Sequence, residues 1–158
     1  MAEAIFAAGC FWGVEQAFRD TTGVLETAVG YIGGNSKDPT YEEVCTGQTG
    51  HAEAVKVQYD PMEISFEALL NVFWGCHNPT QVDRQGPDVG TQYRSAIFYV
   101  GDDQRAVAEK SKRALQSSGK FEAAIATQIV SAGHFYMAED YHQQYFEKRG
   151  HRPHFFGL

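Results

Sequence analysis

Positive charge is scarce in this chain: 13 Lys and Arg stand against 20 Asp and Glu, giving a formal net charge of −7. Affinity for a phosphate backbone comes from clustered cations that release counterions, and the cations here are scattered. The longest cluster, Lys110, Lys112 and Arg113, falls in a helical pattern as a solvated face, so no nucleic-acid partner is expected. Long apolar runs are missing too. None approaches the roughly 20 residues that cross a bilayer, and the first residues lack the basic-then-apolar order of a signal peptide. A cytoplasmic protein with no membrane partner is the expectation. Repeats and low-complexity tracts are absent. Cysteine is rare: Cys10, Cys45 and Cys76 are the three present. An odd count excludes a closed disulfide framework, leaves at least one free thiol, and fits a reducing compartment.

What is present is an ordinary globular composition, 43% hydrophobic and 21% charged over 158 residues. That length suits a single domain, 1–158, with one core. Glu3 to Ala8 is a short apolar run broken by Gly9, after which Phe11, Val14, Glu15 and Phe18 have helical spacing over 11–21. A strand turning sharply into a helix is predicted. Val24 to Ile32 reads as a strand, and Gly33, Gly34, Asn35 and Pro39 as a loop. Ala52 to Tyr59 alternates with period two and is a strand ended by Asp60-Pro61. Ser65 is a candidate N-cap for a helix whose stripe is Phe66, Leu69, Leu70, Phe73 and Trp74. A structured loop fills 77–91, then a strand over 93–100, a helix over 102–117, a strand over 125–130 and a last helix over 139–148. Strands near 24, 51, 93 and 125, with a short first connection and two longer helical ones, fit a β-α-β-β-α-β pattern with helices on one face. The expected class is α+β: a two-layer α/β sandwich, a mixed sheet with helices and a ferredoxin-like core, with strand order left open.

Gly9-Cys10-Phe11-Trp12-Gly13 places a thiol between a strand and the first turn of a helix. Unpaired N–H groups and the helix dipole at that end stabilise a thiolate, lowering the thiol's pKa. Flanking glycines permit the tight turn and the close approach of a ligand. Against this, an isolated cysteine is more often a small buried hydrophobe, with Phe11 and Trp12 as core. Adjacent Phe and Trp, however, point to different faces, so one ring should line a pocket.

GCFWG is followed by PTYEEVCTGQTGHAEAVKVQYDP over 39–61, NPTQVDRQGPDVGTQYRS over 78–95 and AEDYHQQYF over 138–146. In these ordered blocks the sequence resembles the peptide methionine sulfoxide reductases of the A type, enzymes that reverse methionine oxidation. The resemblance implies reduction of methionine S-sulfoxide, free or in proteins, with no cofactor and no metal. It implies that Cys10 attacks the sulfoxide sulfur and keeps the oxygen as a sulfenic acid. Sulfoxide sulfur is a poor electrophile until its oxygen is protonated or strongly hydrogen-bonded, so an acid and neutral donors are needed. Glu53 matches the family's acid, and it shares a strand face with Val55 and Val57, where burial would keep a carboxyl protonated. Tyr41 and Tyr93 match two phenols that hydrogen-bond the oxygen, although with eight tyrosines in the chain either could be a core ring. Asp88 matches a residue that holds the substrate's polar side, or is a turn former after Pro87. Phe11 and Trp12 would enclose the S-methyl group.

One feature of the family is missing: many members carry a resolving cysteine in a C-terminal tail, and no cysteine follows Cys76. Direct recycling by an external thiol, glutathione with glutaredoxin or thioredoxin, is the first expectation. An internal resolving thiol is the second: Cys76, at a predicted helix end beside a loop, ahead of Cys45, whose bland alternative is a packed, inert thiol. A monomer is expected. Two other classes stay open: an acyl transferase or hydrolase that pairs Cys10 with a histidine such as His51, and a non-catalytic module gripping methionine-like side chains through Phe11 and Trp12. The six histidines, among them His134, His142, His151 and His154, have no metal-ligand spacing, and Arg152-Pro153 suggests an irregular tail.

Overall fold

The structure, a computed structural model, describes residues 1–150. Strand β1 (Ala2–Ala8) runs through the middle of a six-stranded sheet, paired on either side with β3 (Ala52–Tyr59) and β6 (Ser95–Tyr99). From Ala4 onward its residues are buried whichever way they point, which is why it reads as an unbroken apolar run. Alternate residues serve different cores. Ala4, Phe6 and Ala8 face the helices, whereas Ile5 and Ala7 face a smaller cluster with Ile32, Ala52, Ala54, Ala96 and Phe98. Phe6 is the keystone of the helical side, its ring stacked 5.0 Å from Phe18 and 5.3 Å from Phe73.

Strand β2 (Val24–Ile32) lies antiparallel to β3 on the far side. The order β6-β1-β3-β2, all antiparallel, with α1 (Phe11–Arg19) after β1 and α3 (Phe66–Gly75) after β3, is the ferredoxin-like β-α-β-β-α-β core. The core therefore begins at β1. The segment near 125 is not its last strand but an added edge, β7 (Gln128–Ser131), parallel to β6 after the crossover helix α4 (Asp102–Ser117). At the opposite edge β8 (Tyr136–Met137) pairs with β2.

Helix α1 buries Phe11, Val14, Glu15 and Phe18, a spacing of three and four that presents one face to the sheet. Helix α3 starts where Ser65 Oγ accepts the Ala68 N–H at 3.0 Å and ends with Cys76 as its C-cap. A short α2 (Tyr41–Cys45), stabilised by a Thr40/Glu43 capping box, was not foreseen. Within 77–91 the chain makes a two-residue hairpin, β4 (Arg84–Gln85) with β5 (Asp88–Val89). A 3-10 turn over Thr91–Tyr93 then delays the next strand to Ser95.

The predicted helix over 139–148 is broken. A 3-10 turn spans Asp140–His142, Gln144 takes a left-handed φ of 52°, and only α5 (Tyr145–Lys148) is helical. Tertiary hydrogen bonds override the local preference. Gln143 Oε1 accepts the Val29 N–H at 2.8 Å while Gln143 Nε2 donates to Val29 O at 2.8 Å, so one side chain satisfies the edge of β2. Gln144 N–H donates to buried Glu15 Oε1 at 2.7 Å. The segment is thereby laid over α1 and β2 as a strap rather than a free helix.

Candidate active site

Cys10 sits at the turn where β1 ends, at the N-cap of α1. Gly9 makes the turn possible: its φ is +100°, and a Cβ there would lie 2.8 Å from the side chain of Gln85. The N–H groups of Trp12 and Gly13 point at the Cys10 sulfur, as the helix N-terminus predicts, and both favour the thiolate. They do not win. Burial pushes the thiol up to about 11, and the negative charge of Glu53, once that group ionises, and of Asp88 adds to the rise. The expectation of a low-pKa thiolate is corrected accordingly: the resting group is a thiol, and any attack must be coupled to loss of its proton.

Glu53 reaches the same place from β3. Strand alternation sends Glu53, Val55 and Val57 to the helix-covered face and Ala52 and Ala54 to the other. Its side chain is 1% exposed. Oε1 accepts the Phe11 N–H at 3.2 Å, while Oε2 has no hydrogen-bond partner among the described residues. Burial pushes the carboxyl up to about 8 despite the Phe11 bond, so it is protonated at neutral pH. A neutral carboxylic acid with one oxygen unspent, bound to the backbone one residue past a thiol, is a donor held ready.

Two phenols flank this pair. Tyr93 closes the 3-10 turn before β6; burial pushes it up to about 12, with Glu53, Cys45, Asp88 and Cys10 all near enough to contribute. Tyr41 opens α2 and is raised chiefly by burial, then by its hydrogen bond to Cys45 and by the charges of Cys45, Glu53 and Tyr93. Both stay neutral donors. Asp88, half-buried on the hairpin, is the charge that reaches Cys10, Glu53 and Tyr93 alike.

The apolar wall is Phe11 and Trp12, on different sides as adjacent helical residues must be. Phe11 is 1% exposed and packs on Tyr31 and His142, while Trp12 is half-buried and stacks on Tyr145 at 3.8 Å. The strap supplies groups that the residue pattern alone did not assign. Glu139 accepts the Tyr31 phenol through Oε1 and the Tyr41 N–H through Oε2, each at 2.8 Å. Burial would raise its carboxyl, but these bonds and nearby His142 hold it below its usual range. Trp12 Nε1 donates to His142 Nδ1 at 2.9 Å. The signal available in the sequence was the AEDYHQQYF block itself, whose polar residues carry no periodicity that would place them.

The three cysteines are free thiols. Cys45 is exposed and hydrogen-bonded to Tyr41, which corrects its reading as a packed thiol. Cys76 is half-buried, donates to Phe73 O at 3.3 Å and is pushed by burial up to about 12. It borders a groove of about 760 Å³ between α1 and α3 that begins at Gly13.

His51 is not a base for Cys10. It is 1% exposed, its Nδ1 accepts the Gly34 N–H at 3.0 Å, and its Nε2 therefore carries the proton donated to Ser36 O at 2.7 Å. Both ring nitrogens are committed to the backbone, which removes His51 as the base of a Cys-His hydrolase. Among the described residues no three His, Cys, Asp or Glu side chains gather as a metal site, and His151 and His154 lie outside them. Nor, among those residues, is any helix long and apolar enough to cross a membrane.

A family model described as peptide methionine sulfoxide reductase matches residues 2–156. The peptide methionine sulfoxide reductase MsrA of Methanosarcina mazei is 61% identical over 150 residues, 95% of this chain and 71% of that protein. Reduced Mxr1 of Saccharomyces cerevisiae superposes with a TM-score of 0.89 at 36% identity, over 98% of this chain and 91% of that one. Mxr1 in complex with Trx2 superposes with a TM-score of 0.65 at 26% identity, over 91% and 84%.

Proposed function

Because the chain belongs to the peptide methionine sulfoxide reductase family, and is an oxidoreductase that repairs oxidised protein by returning methionine sulfoxide to methionine, we propose that Cys10 is its nucleophile and Glu53 its acid. The sulfoxide oxygen lies among Glu53 Oε2 and the phenols of Tyr41 and Tyr93, and the S-methyl group lies between Phe11 and Trp12. Asp88 faces the polar side of the substrate. As the Cys10 sulfur attacks, Glu53 gives its proton to the oxygen, and the thiol proton given up by Cys10 restores the acid. The sulfoxide sulfur gains two electrons and leaves as methionine; Cys10 loses two and retains the oxygen as a sulfenic acid. No cofactor enters the balance. Nucleophile, oxygen donors and methyl slot fix three directions about a chiral sulfur, so one epimer fits, which we take to be S.

The observation that carries this reading is Glu53 Oε2 beside the Cys10 turn, buried and without a hydrogen-bond partner among the described residues, on a carboxyl whose other oxygen accepts the Phe11 N–H. A merely structural buried carboxyl would have both oxygens satisfied. Replacing Cys10 by serine tests it: a serine variant that still forms methionine in a single turnover overturns the assignment of the nucleophile.

Recycling falls first to an external thiol, glutathione with glutaredoxin or thioredoxin; the complex of Mxr1 with Trx2 supports a protein thiol as partner. Cys76 is the second route. It would have to leave its bond to Phe73 O, open the last turn of α3 and become a thiolate from a raised pKa. One equivalent of substrate without added thiol separates them by mass: a persistent sulfenic acid supports external recycling, a Cys10–Cys76 disulfide the internal route. We infer a single catalytic domain acting as a monomer in the cytoplasm, where three free thiols would be kept reduced.

A further inference from the structure

As a wall of the methyl slot, Trp12 has to be held in place. Trp12 is only half-buried, and a half-buried indole at a helix start is free to change rotamer unless something fixes it. Two contacts do so. One face of the indole stacks on Tyr145, with 3.8 Å between centroids and 8° between planes. Its edge donates from Nε1 to His142 Nδ1 at 2.9 Å.

His142 is 1% exposed and lies among the very groups that make the pocket. Its ring centroid is 5.2 Å from Phe11, 5.6 Å from Trp12 and 4.4 Å from Tyr41, with Tyr141 at 4.2 Å. An indole N–H only donates, so Nδ1 must present its lone pair and the ring's proton sits on Nε2. That nitrogen has no hydrogen-bond partner among the described residues. Among the described residues, the bond to Trp12 is then the one side-chain hydrogen bond that His142 makes. A phenylalanine would fill this aromatic nest equally well; only an acceptor can hold the indole edge.

We infer that His142 is a positioning residue which, by accepting from Trp12 Nε1, fixes the width of the slot for the sulfur's alkyl group and so sets the preference for methyl over larger substituents. This rests on the reading of Phe11 and Trp12 as the walls around the S-methyl group. In this role His142 acts through Trp12, by the bond at 2.9 Å to its Nε1. Its ring must stay neutral to serve as acceptor, and burial favours that form, against the attraction of Glu139.

The test compares S-epimers of methionine sulfoxide and ethionine sulfoxide in single turnovers of the full chain. One methylene in a fitted apolar pocket is worth on the order of 10–200-fold, so wild type should prefer methyl by about that factor. His142→Phe, which keeps the ring and removes the acceptor, should cut the methyl-to-ethyl ratio about ten-fold and weaken binding of the methyl substrate about five-fold. His142→Asn, whose amide oxygen can stand near Nδ1, should recover most of the ratio although it loses the ring. Trp12→Ala should abolish the preference altogether. If Trp12→Ala abolishes it and His142→Phe leaves it at the wild-type value, the pocket reading stands and the role of His142 is overturned. If Trp12→Ala leaves the ratio unchanged, the pocket reading fails and takes the inference with it. A measurement on the unaltered protein covers the case in which the variants do not fold. The Trp12 indole N–H should exchange slowly with solvent and show scalar coupling to the His142 ring nitrogen in labelled protein; free, rapid exchange would refute the bond.

Discussion

Replacing Glu53 by glutamine separates proton donation from hydrogen bonding at a single atom. Glutamine keeps the shape and leaves a carbonyl oxygen to accept the Phe11 N–H, now made at 3.2 Å to Oε1. Its amide can still donate a hydrogen bond where Oε2 stands but can give up no proton. Positioned general acids contribute roughly 10²–10⁴-fold, and sulfoxide sulfur is a poor electrophile without protonation, so the rate of the first chemical step should fall by about that factor. The pH dependence adds a second, sharper signature. Wild type needs the acid form, and the carboxyl is held up to about 8 by burial. Single-turnover formation of methionine should therefore be flat below that pH and decline as pH rises through about 8, while Glu53→Gln should lack this decline. Rapid-quench measurement of methionine formed per enzyme from pH 6 to 10 reads both. A variant within a factor of about ten of wild type, with the decline intact, would refute the assignment of Glu53 as the acid.

Other consequences are equally direct. Glu53 bears on stability as well as rate: with a folded pKa of about 8 against a usual 4.5, folding favours the protonated form. Its cost is absent below pH 4.5, grows as pH rises toward 8 and is complete above that. Chemical denaturation should show wild type losing on the order of a few kcal/mol over that window relative to Glu53→Gln. Tyr93→Phe and Tyr41→Phe should each slow sulfenic acid formation by about 10–100-fold, since each removes a single donor to the developing charge. Equal rates in the phenylalanine variants would mean that these rings only pack. Gly9→Ala forces a side chain to φ +100° and against Gln85; a loss of about 1–3 kcal/mol in thermal unfolding is expected, and an unchanged melting temperature would argue that the turn is not strained.

How much of this was legible in the chain depended on whether the deciding force was local. Helix α1 and strand β3 are written in periodicity, so the Cys10 turn and the buried face of Glu53 could be placed from spacing alone. Strand β1 could be seen too, but counting it into the core required knowing that it pairs on both edges, and the last-strand role passed from the 125 region to β6. The strap over 138–148 was illegible. Its residues spend their side chains on distant partners, Gln143 on Val29, Glu139 on Tyr31 and Tyr41, and Gln144's backbone on Glu15. No local preference records such bonds. The thiol's ionisation is illegible for a related reason: the helix N-terminus is a local feature of the sequence, whereas the burial that outweighs it is assembled from the whole fold.

Oxygen transfer to Cys10 is the central step, and intact-protein mass measurement after one equivalent of each sulfoxide epimer, with no thiol present, tests it most directly. The S epimer should give one methionine and one added oxygen per chain, located on Cys10 by a sulfenic acid reagent, and the R epimer neither. Methionine formed by a Cys10→Ser variant, or an oxygen carried on Cys45 or Cys76 with Cys10 unmodified, would contradict it.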